Sequence, residues 1–108
     1  VWRKTPEIIC LCGSTRFVDA FREWNLRFTV EGKIVLSIGC DLRSDNELWQ
    51  DEEERDRLKR KLDVLHLRKI DLCDRVFVLN VDRYIGDSTR REIAYAESIG
   101  RPVEYLFE

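Results

Sequence analysis

The chain has no apolar run approaching the ~20 residues that a membrane span needs, and Val1-Trp2-Arg3-Lys4-Thr5-Pro6 lacks the apolar stretch of a signal peptide. A cytoplasmic protein with no membrane partner is therefore expected. Net charge is also nearly absent, at −2. That balance gives a nucleic-acid polymer no electrostatic footprint, but it leaves room for a mononucleotide, which needs only a few local cations. Four cysteines are present without a single C-x-x-C pair, so the usual zinc and redox spacings are missing. Cys10, Cys12, Cys40 and Cys73 read as buried reduced thiols, and neither metal nor cofactor is expected. There is no internal repeat, low-complexity tract or linker, so one domain over residues 1–108 is expected.

What is there alternates between two periods. Ile8–Cys12 is a continuous apolar run closed by Gly13-Ser14, suited to a strand covered on both faces. Phe17, Ala20, Phe21, Trp24 and Phe28 then recur at three- and four-residue steps and paint one face of a helix, which Glu31-Gly32 ends. Lys33–Cys40 reads as a second buried strand, and residues 41 to 47 as a loop offering Ser44 or Asp45 as a helix cap. A charge-dense helix is predicted from Glu47 to about Leu72. Leu58, Leu62, Leu65, His66 and Cys73 fall near one face, while Val64, Leu67 and Ile70 widen it and leave a bend near residue 64 open. Val76–Leu79 is a third strand, Asn80–Ser88 a loop, Arg90–Ile99 a helix stopped by Gly100, and Pro102–Phe107 a last strand. Strand and helix in strict alternation imply an α/β fold. We expect a single doubly wound, Rossmann- or flavodoxin-like three-layer domain around a mostly parallel sheet of about four strands.

In such sheets ligands bind beyond the carboxyl ends of the strands. Two polar segments fall there. Gly13-Ser14-Thr15-Arg16 joins a tight-turn glycine, two hydroxyls and a guanidinium ahead of a helix N-terminus, the parts of a phosphate site. The same residues also read simply as a capped helix start. In the second segment, Asn80, Tyr84 and Ser88 are candidates for sugar and base contacts. Glu92 has two readings. It is a carboxylate able to attack carbon or take a proton, and it is the last member of a capping box begun by Thr89. His66, the single histidine, lies on the apolar face of its helix, where a satisfied core residue is the commoner case and a proton donor the alternative.

Ile9-Cys10-Leu11-Cys12-Gly13-Ser14-Thr15-Arg16 resembles the strand and Cys-Gly-Ser-x-Arg loop that opens the 2′-deoxynucleoside 5′-phosphate N-hydrolases. Val76–Asn80, Gly86–Thr89, Glu92–Ala96 and Gly100-Arg101-Pro102-Val103 resemble, in the same order, the second half of the nucleoside 2-deoxyribosyltransferase superfamily. The resemblance implies that Glu92 is a nucleophile on the sugar's anomeric carbon and that Asp87 lies near sugar and nucleophile. It implies Ser14 and Arg16 as 5′-phosphate ligands, and an assembly of two or more copies in which neighbours complete the site. The sequence departs from the pattern in two places. Phe17 stands where the hydrolases have glycine, and Leu65-His66 falls where the family has an aspartate, which makes His66 the candidate donor to the leaving base. The expected substrate is a small-molecule nucleotide. A non-catalytic nucleotide-binding module and an interaction scaffold are the alternative readings.

Overall fold

A computed structural model of the chain describes residues 5–38 and 51–108. Its strands are β1 (Ile8–Cys12), β2 (Ile34–Leu36), β3 (Arg75–Val78) and β4 (Val103–Tyr105). The helices among the described residues are α1 (Val18–Val30), α2 (Glu52–Leu72) and α3 (Asp87–Ser98), with one 3-10 turn at Val81–Arg83. The sheet is parallel throughout, in the order β2-β1-β3-β4. Strand order therefore reverses beside β1, and the crevice between the ends of β1 and β3 is the topological switch point. No helix among the described residues is long and apolar enough to cross a membrane.

The apolar run of β1 behaves as a two-sided strand must: Ile9, Cys10, Leu11 and Cys12 are all fully buried. Successive side chains alternate across the sheet. Ile9 and Leu11 join Phe77, Leu79, Phe21 and Phe28 on the α1 side. Cys10 and Cys12 join Val76, Val78, Ile70, Cys73, Ile93 and Ala96 on the α2/α3 side. Helices on opposite faces are what right-handed crossovers require once the chain turns from one side of β1 to the other.

Several element boundaries differ from the sequence reading. The second strand is shorter than Lys33–Cys40: Ser37 and Ile38 leave the ladder, and Gly39 and Cys40 lie outside the described residues. The proposed caps Ser44 and Asp45 also lie outside them. Asp51 is the cap observed for α2, its carboxylate accepting the Glu54 amide at 2.7 Å. The helix runs without a break through residue 64. Its inward face follows His66, Ile70 and the adjoining Cys73, so Val64 and Leu65 point outward and are half exposed. The third helix starts at Asp87, with Gly86 in the cap position. Thr89 is therefore already inside the helix and buried, and Glu92 lies in the second turn rather than the first. The Thr89–Glu92 capping box is thus not formed. Gly32 and Gly100 close α1 and α3 at φ of 86° and 75°.

Candidate functional site

Two loops meet at the switch point. Gly13 follows Cys12 directly, where the Leu79 amide donates to the Cys12 carbonyl at 2.8 Å. A Cβ on Gly13 would stand 3.1 Å from the Leu79 oxygen and 3.3 Å from its Cβ, so only glycine passes this close to β3 undisturbed. The loop then turns: the Ser14 carbonyl accepts the Phe17 amide at 3.0 Å, and Ser14 Oγ accepts the Arg16 amide at 3.4 Å. Gly13 and Ser14 are half-buried, Thr15 and Arg16 exposed. Phe17 supplies no capping side chain to α1.

Arg16 does not stand alone. Its Nη2 donates to the Tyr84 hydroxyl at 3.2 Å, and its guanidinium carbon lies 4.3 Å from the centroid of the Tyr84 ring. Phe17 meets the same ring edge-on at 5.9 Å. A phosphate candidate and a base candidate, drawn from loops 68 residues apart, are therefore in contact. Asn80, by contrast, is buried and engages Phe107 at both ends: its Nδ2 donates to the Phe107 carbonyl at 2.7 Å and its Oδ1 accepts the Phe107 amide at 2.9 Å. It ties the third loop to the chain beyond β4. Between Asn80 and Tyr84 the backbone takes positive φ at Asp82 and Arg83, 53° and 63°. Such conformations cost roughly 1–3 kcal/mol in a side-chain-bearing residue and cluster near functional sites. Asp87 and Ser88 are exposed at the start of α3, and Arg91 Nη2 donates to Ser88 Oγ at 3.2 Å.

The densest chemistry lies one layer inward, on the α2/α3 face of the sheet. His66 Nε2, from α2, is 3.4 Å from Glu92 Oε2 on α3, 3.4 Å from Cys12 Sγ and 3.7 Å from Cys10 Sγ on β1. The side chains of His66 and Glu92 are only 10% and 15% exposed. Protonated, Nε2 can donate to the carboxylate; unprotonated, it can accept a thiol proton. The sequence singled out His66 and Glu92 for separate reasons, and the fold makes them neighbours.

Burial raises the Glu92 carboxyl to about 7, against the pull of His66, with Cys10 and Asp63 adding to the rise. Burial opposes a proton on His66, but the hydrogen bond and charge of Cys10 and the charge of Glu92 outweigh it and lift the imidazole above its ordinary value. Within the thiol pair, the hydrogen bond from Cys12 draws Cys10 down to about 6, with help from His66 and Lys69. The same bond and burial push Cys12 well up. The pair thus gives up one proton readily and holds the second. Cys73 is raised to about 11 by burial.

A polar clamp fixes α2 against α3 near this pair. Asp71 accepts the Tyr95 hydroxyl at 2.5 Å and pairs with Arg68 Nε at 2.9 Å, Arg68 Nη2 donates to Tyr95 at 3.1 Å, and Arg101 donates to the Asp71 carbonyl at 2.8 Å. Tyr95 follows Glu92 by three residues on the same helix, so the clamp holds the separation on which the His66–Glu92 contact depends. The thiols are the members of the cluster that a spacing search misses. The signal that finds them is C-x-C inside a strand, which puts both sulfurs on one face.

No protein-family model matches the chain, and no curated protein sequence matches it. The likeness to the N-hydrolases stands on the residues quoted for it.

Proposed function

We propose that this chain is an N-glycosidase of nucleoside 5′-monophosphates that works through a covalent glycosyl-enzyme. The observation that carries the reading is the buried Glu92–His66 pair at 3.4 Å, on the face of β1 whose end opens into the Gly13–Arg16 loop. Glu92 attacks the anomeric carbon as the bond to the base breaks. The electron pair leaves with the base nitrogen, which takes a proton from the His66 imidazolium. Water, giving its proton to the now neutral His66, then cleaves the ester, frees the sugar phosphate and restores the Glu92 carboxylate. A carboxylate raised to about 7 is a stronger nucleophile than a solvated one, yet still ionised in part at neutral pH. The Ser14 and Thr15 hydroxyls, the Arg16 guanidinium and the α1 N-terminus are groups suited to the 5′-phosphate. Tyr84, 41% exposed, offers a ring for the base.

The test is release of free base from a panel of ribo- and 2′-deoxynucleoside 5′-monophosphates. Wild type is expected to turn over at least one of them, and Glu92→Gln to release none while still binding it. Arg16→Ala is expected to weaken monophosphate binding by ~10–100-fold, the loss of a charge-assisted hydrogen bond, and to leave nucleoside binding unchanged. Base release that persists in Glu92→Gln removes the nucleophile and the proposal with it. Monophosphate binding without turnover by wild type would favour the binding module.

A further inference from the structure

We infer that Cys10, Cys12 and His66 form a three-ligand binding site for a thiophilic divalent metal ion of the zinc type. It does not rest on the glycosidase reading, but it uses the same His66 Nε2, so a metal-bound chain is not the form that protonates the leaving base.

The donor set is the first argument. Two cysteine sulfurs and an imidazole nitrogen are ligands zinc takes, and three protein ligands with an open fourth position are a known zinc arrangement. They are brought together by distant parts of the chain: 54 residues separate Cys12 from His66.

The second argument is distance. Zinc lies about 2.3 Å from sulfur and about 2.0–2.2 Å from nitrogen or oxygen, so neighbouring corners of its tetrahedron are roughly 3.3–3.8 Å apart. The two separations from His66 Nε2, 3.4 Å to Cys12 Sγ and 3.7 Å to Cys10 Sγ, are both within that range. The ligand atoms of Cys10, Cys12 and His66 all lie within 4.8 Å of one another. No large rearrangement is needed for them to close on a common centre.

The third argument is the scaffold. Cys10 and Cys12 occupy alternate positions of a central strand bonded on both sides, which fixes their Sγ atoms on one face. His66 comes from α2, which the Asp71–Tyr95–Arg68 clamp holds against α3. A site built on rigid elements needs little ordering when it binds. Two thiolates balance the charge of a divalent ion, so the closed site buries no net charge. A plain core thiol–histidine cluster would share the short contacts, but it would not compete for metal.

Reduced, chelator-treated protein is titrated with Co²⁺ alone and followed by absorption. A tetrahedral site with two thiolates gives a thiolate-to-metal charge-transfer band together with intense visible d–d bands, saturating at one ion per chain and bleached by Zn²⁺. Cys10→Ser and Cys12→Ser should each reduce the charge-transfer intensity and weaken binding by more than the ~10–100-fold typical of losing an outer-shell partner. His66→Ala should keep both sulfurs but weaken binding, since it removes the third donor. Cys73→Ser, a buried free thiol outside the donor set, should change neither. Circular dichroism of each metal-free variant identifies any that has failed to fold, and the remaining variants decide. Absence of the charge-transfer band in folded wild type, or its full retention in folded Cys10→Ser or Cys12→Ser, overturns the site.

Discussion

On the α1 side of the sheet, Phe77 lies 4.9 Å from Trp24 and 5.3 Å from Phe28, ring against ring. On the α2/α3 side, the same two central strands present Cys10, Cys12, Val76 and Val78 to His66 and Glu92. One residue's shift along β1 separates a layer of large apolar groups from a layer holding two thiols, an imidazole and a carboxylate. The aromatic side packs large rings against one another and, among the described residues, holds no titratable group in its core. The other side holds buried polar groups that lean on one another, which costs stability unless the set is complete. A central parallel strand can serve both ends at once because its two faces are covered by different helices.

The largest effect should come from breaking the aromatic side. Phe77→Ala removes a ring packed against Trp24 and Phe28, and is expected to cost about 3–5 kcal/mol in denaturant unfolding. Cys10→Ala deletes a single sulfur from the opposite face and should cost well under half of that. Equal losses would erase the division of labour between the faces.

A smaller effect separates them by pH. Glu92 is raised from 4.5 to about 7 in the folded protein, so the native state holds its proton more tightly than the unfolded chain. The sign follows: this stability is complete below about pH 4.5 and is lost as pH climbs through 7. Cys10, drawn down to about 6, acts in the opposite sense from pH 6 upward, so the clean window is pH 4.5–6. Glu7, lowered by Arg75 and Lys33 at the other end of the sheet, loses its contribution only as pH falls below 4.5. With chelator present, wild type should lose up to about 2 kcal/mol across that window, and Glu92→Gln should show a flatter profile. Parallel profiles would mean that Glu92 is not desolvated.

Much of this architecture is legible in the residues. Ile8–Cys12 and Val76–Leu79 announce buried strands by lacking polar alternation, and Gly32 and Gly100 mark where helices stop. The site is legible only as separate pieces. Thr89-Arg90-Arg91-Glu92 has the letters of a capping box, but the helix begins three residues earlier at Gly86 and Thr89 is drawn into the core. Local spacing could not weigh that tertiary pull. Leu65 and His66 are adjacent on α2, and periodicity admits both to the inner face; packing keeps His66 and turns Leu65 out. The contact of His66 with Cys10, Cys12 and Glu92 joins three elements, and no local pattern states which partners a strand's face will meet. Arg16 and Tyr84 are the same case on the outside of the crevice.

The central claim is that the α2/α3 face carries the reacting group, and mass spectrometry of the trapped protein tests it most directly. A 2′-fluoro nucleoside 5′-monophosphate destabilises the oxocarbenium-like transition state and slows both steps, so a covalent intermediate accumulates. Acid quench and intact-mass measurement should show one fluorinated sugar phosphate per chain, and peptide mapping should place it on Glu92, with no adduct in Glu92→Gln. An adduct mapped to any other residue, or base release from the analogue with Glu92 unmodified, would contradict the account.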